Sequence, residues 1–255
     1  MTPGASLELE LEPRQQVLFV SDLHLLDDGD ALTTRFLDWL GTSLQAHQPD
    51  WLILLGDVFE AWVGDDVLQD HPAWTSLVSL LHQHSQAGLK IGVVHGNRDF
   101  LLGQAFCKRI GARLLSDPFV LTQASGRRWL VSHGDAYCTD DTAYQQFRQM
   151  VRDPKWQADF LAQPLPARLA QARALREQSQ QEKTQKNMVI MDVNPQAIDQ
   201  AIVSHGARGM IHGHTHRPGL YQTPAGHERW VLTDWSIDPP RQGGLLLGES
   251  NPVVI

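Results

Sequence analysis

The residues richest in potential chemistry lie at 210–218, MIHGHTHRP, where His212, His214 and His216 stand at alternate positions before Arg217 and Pro218. In extended backbone, residues i and i+2 point to the same side, so this spacing predicts three imidazoles on one face. Neutral imidazole is the commonest side-chain metal ligand. With twelve histidines in the chain, a chance cluster on a solvated loop is the alternative, and partners elsewhere must decide. Four further clusters supply them: Ser21-Asp22-Leu23-His24, Gly56-Asp57, His95-Gly96-Asn97-Arg98-Asp99 and Ser132-His133-Gly134-Asp135. Asp, His and Asn without cysteine form a donor set suited to Mn²⁺, Fe²⁺ or Zn²⁺. Two such ions about 3.5–4 Å apart would clamp an in-line phosphoryl displacement. Asp57, alone after Gly56, is the natural bridge between them. His214 and His216 complete the set, while His212 fits a structural place as well as a ligand's.

Each cluster follows a short apolar run: VLFV (17–20), WLILL (51–55), IGVV (91–94), WLV (129–131) and MI (210–211). Amphipathic stretches at 32–44 and 73–81 lie between them. Continuous apolar runs alternating with helices predict strands covered on both faces, and so an α/β layered fold. The carboxyl ends of such strands form the ligand crevice, where the five clusters would meet. Residues 139–206 break this rhythm. Helical patterns at 144–150, 157–162 and 167–185, broken at Pro154, Pro164 and Pro166, predict a helical insertion. The core would then be 17–138 and 207–255, with 1–16 as an N-terminal extension. The insertion reads as locally basic in an acidic protein, which fits a solvated helix face as well as an anionic partner.

A formal charge of −8 and a pI near 5.8 argue against a broad nucleic-acid footprint. Cys107 and Cys138 make no disulfide framework or CxxC pair and read as buried thiols of a reducing compartment. The acidic N-terminus does not have the basic-then-apolar order of a secretory signal. No apolar run approaches the ~18 residues of a membrane span. The expectation is a cytoplasmic monomer with, at most, peripheral membrane contact.

SDLHL (21–25), LGDVFEAWVGDD (55–66), HGNRDFLLG (95–103), HGDAYCTDD (133–141), IMDVN (190–194) and IHGHTHRP (211–218) resemble the calcineurin-like metallophosphoesterases. Among them, they are most similar to the UDP-2,3-diacylglucosamine hydrolases of Gram-negative lipid A synthesis. The resemblance runs over residues 17–235 and implies a sandwich of mixed sheets flanked by helices, with the insertion as a lid. It implies two Mn²⁺ ions, one held by Asp22, His24, Asp57 and His216 and the other by Asp57, Asn97, His133 and His214. Catalysis would rest on Asp57, Asn97, Arg98 and His214. Substrate contacts would fall on Asn97, Arg98, Asp141, Ser179, Lys183, Lys186 and His214; Lys183 departs from the Asn or Thr of the family pattern. The implied reaction is attack of an activated water on the α-phosphorus of UDP-2,3-diacylglucosamine. It gives UMP and 2,3-diacylglucosamine 1-phosphate at the cytoplasmic face of the inner membrane. The stretch DWSIDPPRQG (234–243) departs from the family in being longer and richer in proline.

Arg98 has a physical rationale. Cleaving a pyrophosphate expels a phosphate monoester, which leaves readily as an anion, so no strong acid is required. A permanently charged guanidinium serves better as a bidentate phosphate clamp; the alternative is an ion pair with Asp99. Phe147 and Phe160 of the insertion, with Trp62, Phe100 and Trp156, form a candidate acyl channel, the alternative being ordinary core. Two other functions compete. A different dinuclear phosphoesterase is opposed by FEAW and GNRD, and an inactive scaffold of the same fold is opposed by the complete ligand set.

Overall fold

The protein, as a computed structural model, is described over residues 8–70, 74–185 and 192–255, with side chains except at 69–70 and 178–185. The chain begins β1 (Glu8–Glu10), β2 (Val17–Val20), α1 (Ala31–His47), β3 (Trp51–Leu55), α2 (Val67–Asp70), α3 (Thr75–Gln86), β4 (Lys90–Val94), α4 (Gln104–Ile110) and β5 (Ala112–Leu114). β6 (Phe119–Thr122) and β7 (Arg128–Ser132) precede the consecutive helices α5 (Thr142–Val151), α6 (Pro154–Leu161) and α7 (Leu165–Gln185). Then come α8 (Pro195–Ser204), β8 (Gly209–His212), β9 (Gly219–Gln222), β10 (Glu228–Val231), β11 (Leu245–Leu247) and β12 (Val253–Val254).

The strands form two six-stranded mixed sheets, ordered β12-β11-β2-β3-β4-β5 and β1-β6-β7-β8-β10-β9. Alternation along the strands separates three cores. Val17, Phe19, Ile53 and Leu55 of one sheet meet Phe119, Leu121, Trp129 and Ile211 of the other. Leu18, Val20, Leu52 and Leu54 face the opposite way and pack on Phe36 and Leu40 of α1, Leu77 of α3 and Phe106 of α4. On the far side, Val120, Leu130 and Met210 are covered by Ile198 and Ile202 of α8. Helices therefore flank a double sheet. β2 and β3 are apolar at every position because both of their faces are covered.

The expected α/β sandwich is what the chain adopts, with VLFV and WLILL as β2 and β3. Two segments are placed by their packing. Within the N-terminal extension, Glu8–Glu10 pairs in parallel with β6 and buries Leu9. α8 falls within the segment read as an insertion, yet its apolar face lies on the second sheet, which leaves α5, α6 and α7 as the helices above the site. Counted from Thr139, Asp140 and Asp141 also cancel the insertion's basic excess. Pro154 opens α6 behind the Asp153 cap, where a missing N–H costs nothing.

A buried cation ties the insertion to the core. Arg168 of α7 is only 2% exposed. Its guanidinium pairs with Asp66, at 3.0 Å for Nη1–Oδ1, and also donates to the Val63 carbonyl. Arg168→Leu removes these bonds, but the Asp66 side chain is 47% exposed and keeps its contact with water. The expected cost is that of lost charged hydrogen bonds, about 1.5–3 kcal/mol, and not the larger penalty of a stranded buried charge. Urea unfolding should register it, and limited proteolysis should cut between 165 and 177 faster than in the parent.

Candidate active site

The loops after β2, β3 and β8 carry an unusual backbone. Asp22, His24, Asp57, His214 and His216 all have φ between 51° and 67°. Left-handed conformations cost non-glycine residues of order 1–3 kcal/mol each and persist only where the surroundings enforce them. Here, backbone hydrogen bonds enforce them. Leu23 N and His24 N both donate to Asp57 O at 2.9 and 3.0 Å, Asp22 N donates to Gly56 O at 3.1 Å, and Gly213 N donates to His133 O at 2.9 Å. The loops thus brace one another.

This geometry overturns the expectation of three imidazoles on one extended face. β8 ends at His212, and the next two histidines lie beyond it in left-handed turns. His212 is fully buried and donates from Nδ1 to its neighbour's carbonyl, Gly213 O, at 2.8 Å. Burial holds its pKa down to about 4. Its ring is not among those whose ligand atoms converge.

The other seven expected ligands do come together. Asp22, His24 and His216 bring donor atoms within 4.8 Å of one another, and so do Asp22, Asp57 and His133. His133 Nε2 lies 3.2 Å from Asn97 Oδ1 and 3.7 Å from Asp57 Oδ1. The His214 ring meets that of His133 edge-on at 5.2 Å, and its backbone N donates to Asp22 Oδ2 at 2.8 Å. Asp22 belongs to both groups, and Asp57 joins the second.

These residues fit divalent cations. Asp22 Oδ1 is buried without a hydrogen-bond partner, which a folded chain tolerates only with compensation. His24 Nδ1 faces Glu60 at 3.1 Å and His216 Nδ1 faces Asp234 at 3.3 Å, so both Nε2 atoms turn inward, 3.3 Å apart. A ring donating from Nδ1 presents a lone pair at Nε2, and two such lone pairs repel unless a cation lies between them. Burial opposes charge on His133, yet the carboxylates of Asp57, Asp22 and Asp135 outweigh it and push its pKa up to about 9. Burial raises Asp57. The field that draws a proton onto His133 equally favours a divalent ion.

Over this cluster opens a cleft of about 530 Å³, lined by Asn97, Arg98 and His214 below and by Phe147, Trp156, Phe160 and Leu175 of the insertion above. Phe147 is half-buried on its wall. Phe160 is 5% exposed and stacks on Trp156 at 5.0 Å, so it serves core and cleft together. Trp62 is more deeply part of the core: its indole N–H donates to Asp65 Oδ1 at 3.0 Å, and its ring meets Phe59 and Phe106. Asp141 lines the cleft and caps α5 by accepting from Tyr144 N. The side chains of Ser179 and Lys183, and the whole of Lys186, lie outside the described residues.

Residues 16–218 match the family model for calcineurin-like phosphoesterases. The chain belongs to that family. Proteins named UDP-2,3-diacylglucosamine hydrolase are similar over nearly its whole length. That of Bordetella pertussis is 46% identical over 235 residues, covering 89% of each chain. That of Chromobacterium violaceum is 47% identical, covering 90% of this chain and 93% of its own. A dimetal phosphatase from Danio rerio shares the fold, with a TM-score of 0.51 at 13% identity over 95% of this chain and 96% of that one. The cluster is accordingly the divalent-metal site of a phosphoesterase.

This phosphoesterase uses several residues that local spacing did not single out. Asp99, fully buried, accepts from Gly96 N at 2.8 Å and Asp57 N at 3.3 Å through Oδ1, and from Val58 N at 2.8 Å through Oδ2. It therefore does not pair with Arg98. Glu60 faces Arg98 at 4.0 Å and also pairs with Arg176 of α7. Arg152, which follows α5 as its C-cap, donates to Gly96 O at 3.0 Å. Tyr144 stacks on the His214 ring and donates to Asp135 at 2.7 Å. The motif FEAWVGDD had flagged Glu60 without a role. Asp99→Asn puts an amide where three N–H groups need acceptors. Unfolding free energy should fall by about 1–3 kcal/mol, and Mn²⁺ should bind at least tenfold more weakly by titration. Unchanged metal affinity would confine Asp99 to folding.

Proposed function

We propose that this chain hydrolyses UDP-2,3-diacylglucosamine to UMP and 2,3-diacylglucosamine 1-phosphate, using two Mn²⁺ ions at the cytoplasmic face of the inner membrane. One observation carries the reading: a single cleft joins the Asp/His/Asn cluster and Arg98 on its floor to an aromatic and aliphatic wall made by the insertion. A pyrophosphate fits the first and acyl chains fit the second. Relatives bearing that activity's name, similar over nine-tenths of the chain, support it.

The ligands proposed are Asp22, His24, Asp57 and His216 for one ion, and Asp57, Asn97, His133 and His214 for the other. The bound ions supply Lewis acidity and lower the pKa of water to the range where it is a nucleophile at neutral pH. The chain does the rest. His133 Nδ1 donates to Leu55 O at 3.0 Å, which fixes the ring with Nε2 toward Asn97 and Asp57. Arg98 N donates to Asp57 Oδ1 at 2.8 Å, so the loop that carries the clamp is tied to the ligand on the loop after β3. The Arg98 guanidinium, steadied by Glu60, takes the phosphate oxygens. The sugar 1-phosphate would leave as an anion with the bridging oxygen and need no acid from the chain, and the attacked phosphoryl group would become UMP. α5, α6 and α7 form the lid, and their Met150, Leu161 and Leu175 are exposed apolar side chains that suit a lipid surface.

Mass spectrometry of the products from UDP-2,3-diacylglucosamine and Mn²⁺ is the primary test. UMP should appear, and its absence alongside active hydrolysis of simple phosphodiesters would point to another phosphoesterase. EDTA should abolish turnover and Mn²⁺ restore it, while Asp57→Ala should remain inactive at any Mn²⁺ concentration.

Arg98→Ala should keep both ions but lose about 1.5–3 kcal/mol of transition-state binding, a fall in kcat/KM of about ten- to a hundredfold or more. Lost metal in that variant would mark Arg98 as structural. For the acyl wall, Phe147→Ala is the clean probe, because Phe160→Ala would also cost about 3–5 kcal/mol of core packing. Phe147→Ala should impair the diacylated substrate while leaving hydrolysis of bis-p-nitrophenyl phosphate near the parental rate. Parallel loss of both activities would assign Phe147 to the core.

A further inference from the structure

The segment after β10 reaches the cluster by a route that none of the ligand motifs contains. Asp234 is almost fully buried, and its two carboxylate oxygens have two partners. Arg241 grips it with both arms of its fork, Nε to Oδ1 at 2.9 Å and Nη2 to Oδ2 at 2.6 Å. On its other side Asp234 Oδ2 faces His216 Nδ1 at 3.3 Å. His216 Nε2 in turn faces Asp22 Oδ1 at 3.4 Å. A guanidinium, a carboxylate, an imidazole and the unsatisfied Asp22 oxygen thus stand in line, leading from the protein's rim to the metal cluster.

The surrounding segment is built to hold that line. Trp235 is buried edge-on against Phe36 and Trp39 of α1, with ring centroids at 5.1 Å in each case. Its backbone N donates to Asp22 O at 3.1 Å. Ser236 and Arg241 exchange backbone hydrogen bonds at 3.1 and 3.0 Å, closing the loop 236–241 on itself, and Arg35 of α1 donates to Ser236 O at 3.3 Å. The loop therefore returns Arg241 to the residue two positions before its own start.

We propose that Asp234 and Arg241 are positioning residues for the metal ligand His216. The inference rests on the metal-site reading above. A carboxylate on the outer nitrogen of a ligating histidine fixes its tautomer and ring direction and raises its basicity. A buried carboxylate is costly unless it is paired. Arg241 supplies the pairing in bidentate form, which also fixes the carboxylate plane. Arg241 thereby acts on the metal site through Asp234, and neither residue lines the cleft.

The test uses the full chain stripped of metal and titrated with Mn²⁺, with free Mn²⁺ read by its EPR signal. Asp234→Asn and Arg241→Ala should each weaken one of the two bound equivalents by about tenfold to a hundredfold, the range found for such outer partners, and leave the other within twofold. The double variant should be no weaker than Asp234→Asn, because Arg241 acts through Asp234. Arg241→Lys, charged but without the fork, should fall between parent and Arg241→Ala. Thermal unfolding of the metal-free proteins separates a folding role. If metal-free Tm falls while both Mn²⁺ affinities hold, the loop is structural and the proposal fails. Additive losses in the double variant would likewise overturn the line of action. Substrate identity does not enter this readout. A chain that binds two Mn²⁺ as predicted but releases no UMP would sink the proposed reaction and leave this inference standing.

Discussion

Two inward-facing imidazole nitrogens 3.3 Å apart, next to a buried carboxylate oxygen without a hydrogen bond, set the terms for the rest of the molecule. Such an arrangement is repulsive or unsatisfied, and cations resolve it. Holding it takes more than the ligands. Five of the seven carry left-handed backbone, and that strain is countered by hydrogen bonds between loops that have no other reason to touch. Asp99 shows how economically this is done: one carboxylate organises three N–H groups around Asp57. Gly96 is part of the same arrangement, because a Cβ there would sit on the Asp57 carboxylate and backbone.

The double sheet supplies the rigidity on which this depends. Strands buried on both faces cannot shift register without exposing one core and overfilling the other. The loops at their carboxyl ends are therefore fixed at their roots. The insertion is attached by a different physics. Arg168 to Asp66, Arg176 to Glu60 and Arg152 to Gly96 O are polar ties at the cleft's margin, while Phe160 and Trp156 pack against the core from above. These ties fix where α5, α6 and α7 lie, and the cleft beneath them keeps an apolar wall. Glu60 belongs to both systems, since it meets His24, Arg98 and Arg176 of α7.

Much was legible before any coordinates. VLFV and WLILL read as covered strands because they are short apolar runs between helical stretches, and polar clusters directly after such runs fall at the carboxyl ends of the strands. Asp22, His24, Asp57, Asn97, His133, His214 and His216 were readable because each belongs to a short motif whose residue types are rare together. Tertiary structure decided what local spacing cannot encode. His212 shares the alternation of its neighbours, but β8 ends at it, so its ring goes into the core while theirs face the cleft. Asp99 sits beside Arg98 in sequence, yet backbone N–H groups of another loop claim its carboxylate. Asp234 and Arg241 lie some twenty residues past the last histidine motif, and only the packing of Trp235 on α1 carries them back to His216. The sequence determined the donor chemistry, because that is a property of residue types within a few positions of one another. Which donors face inward, and what holds them there, was decided by contacts between segments far apart along the chain.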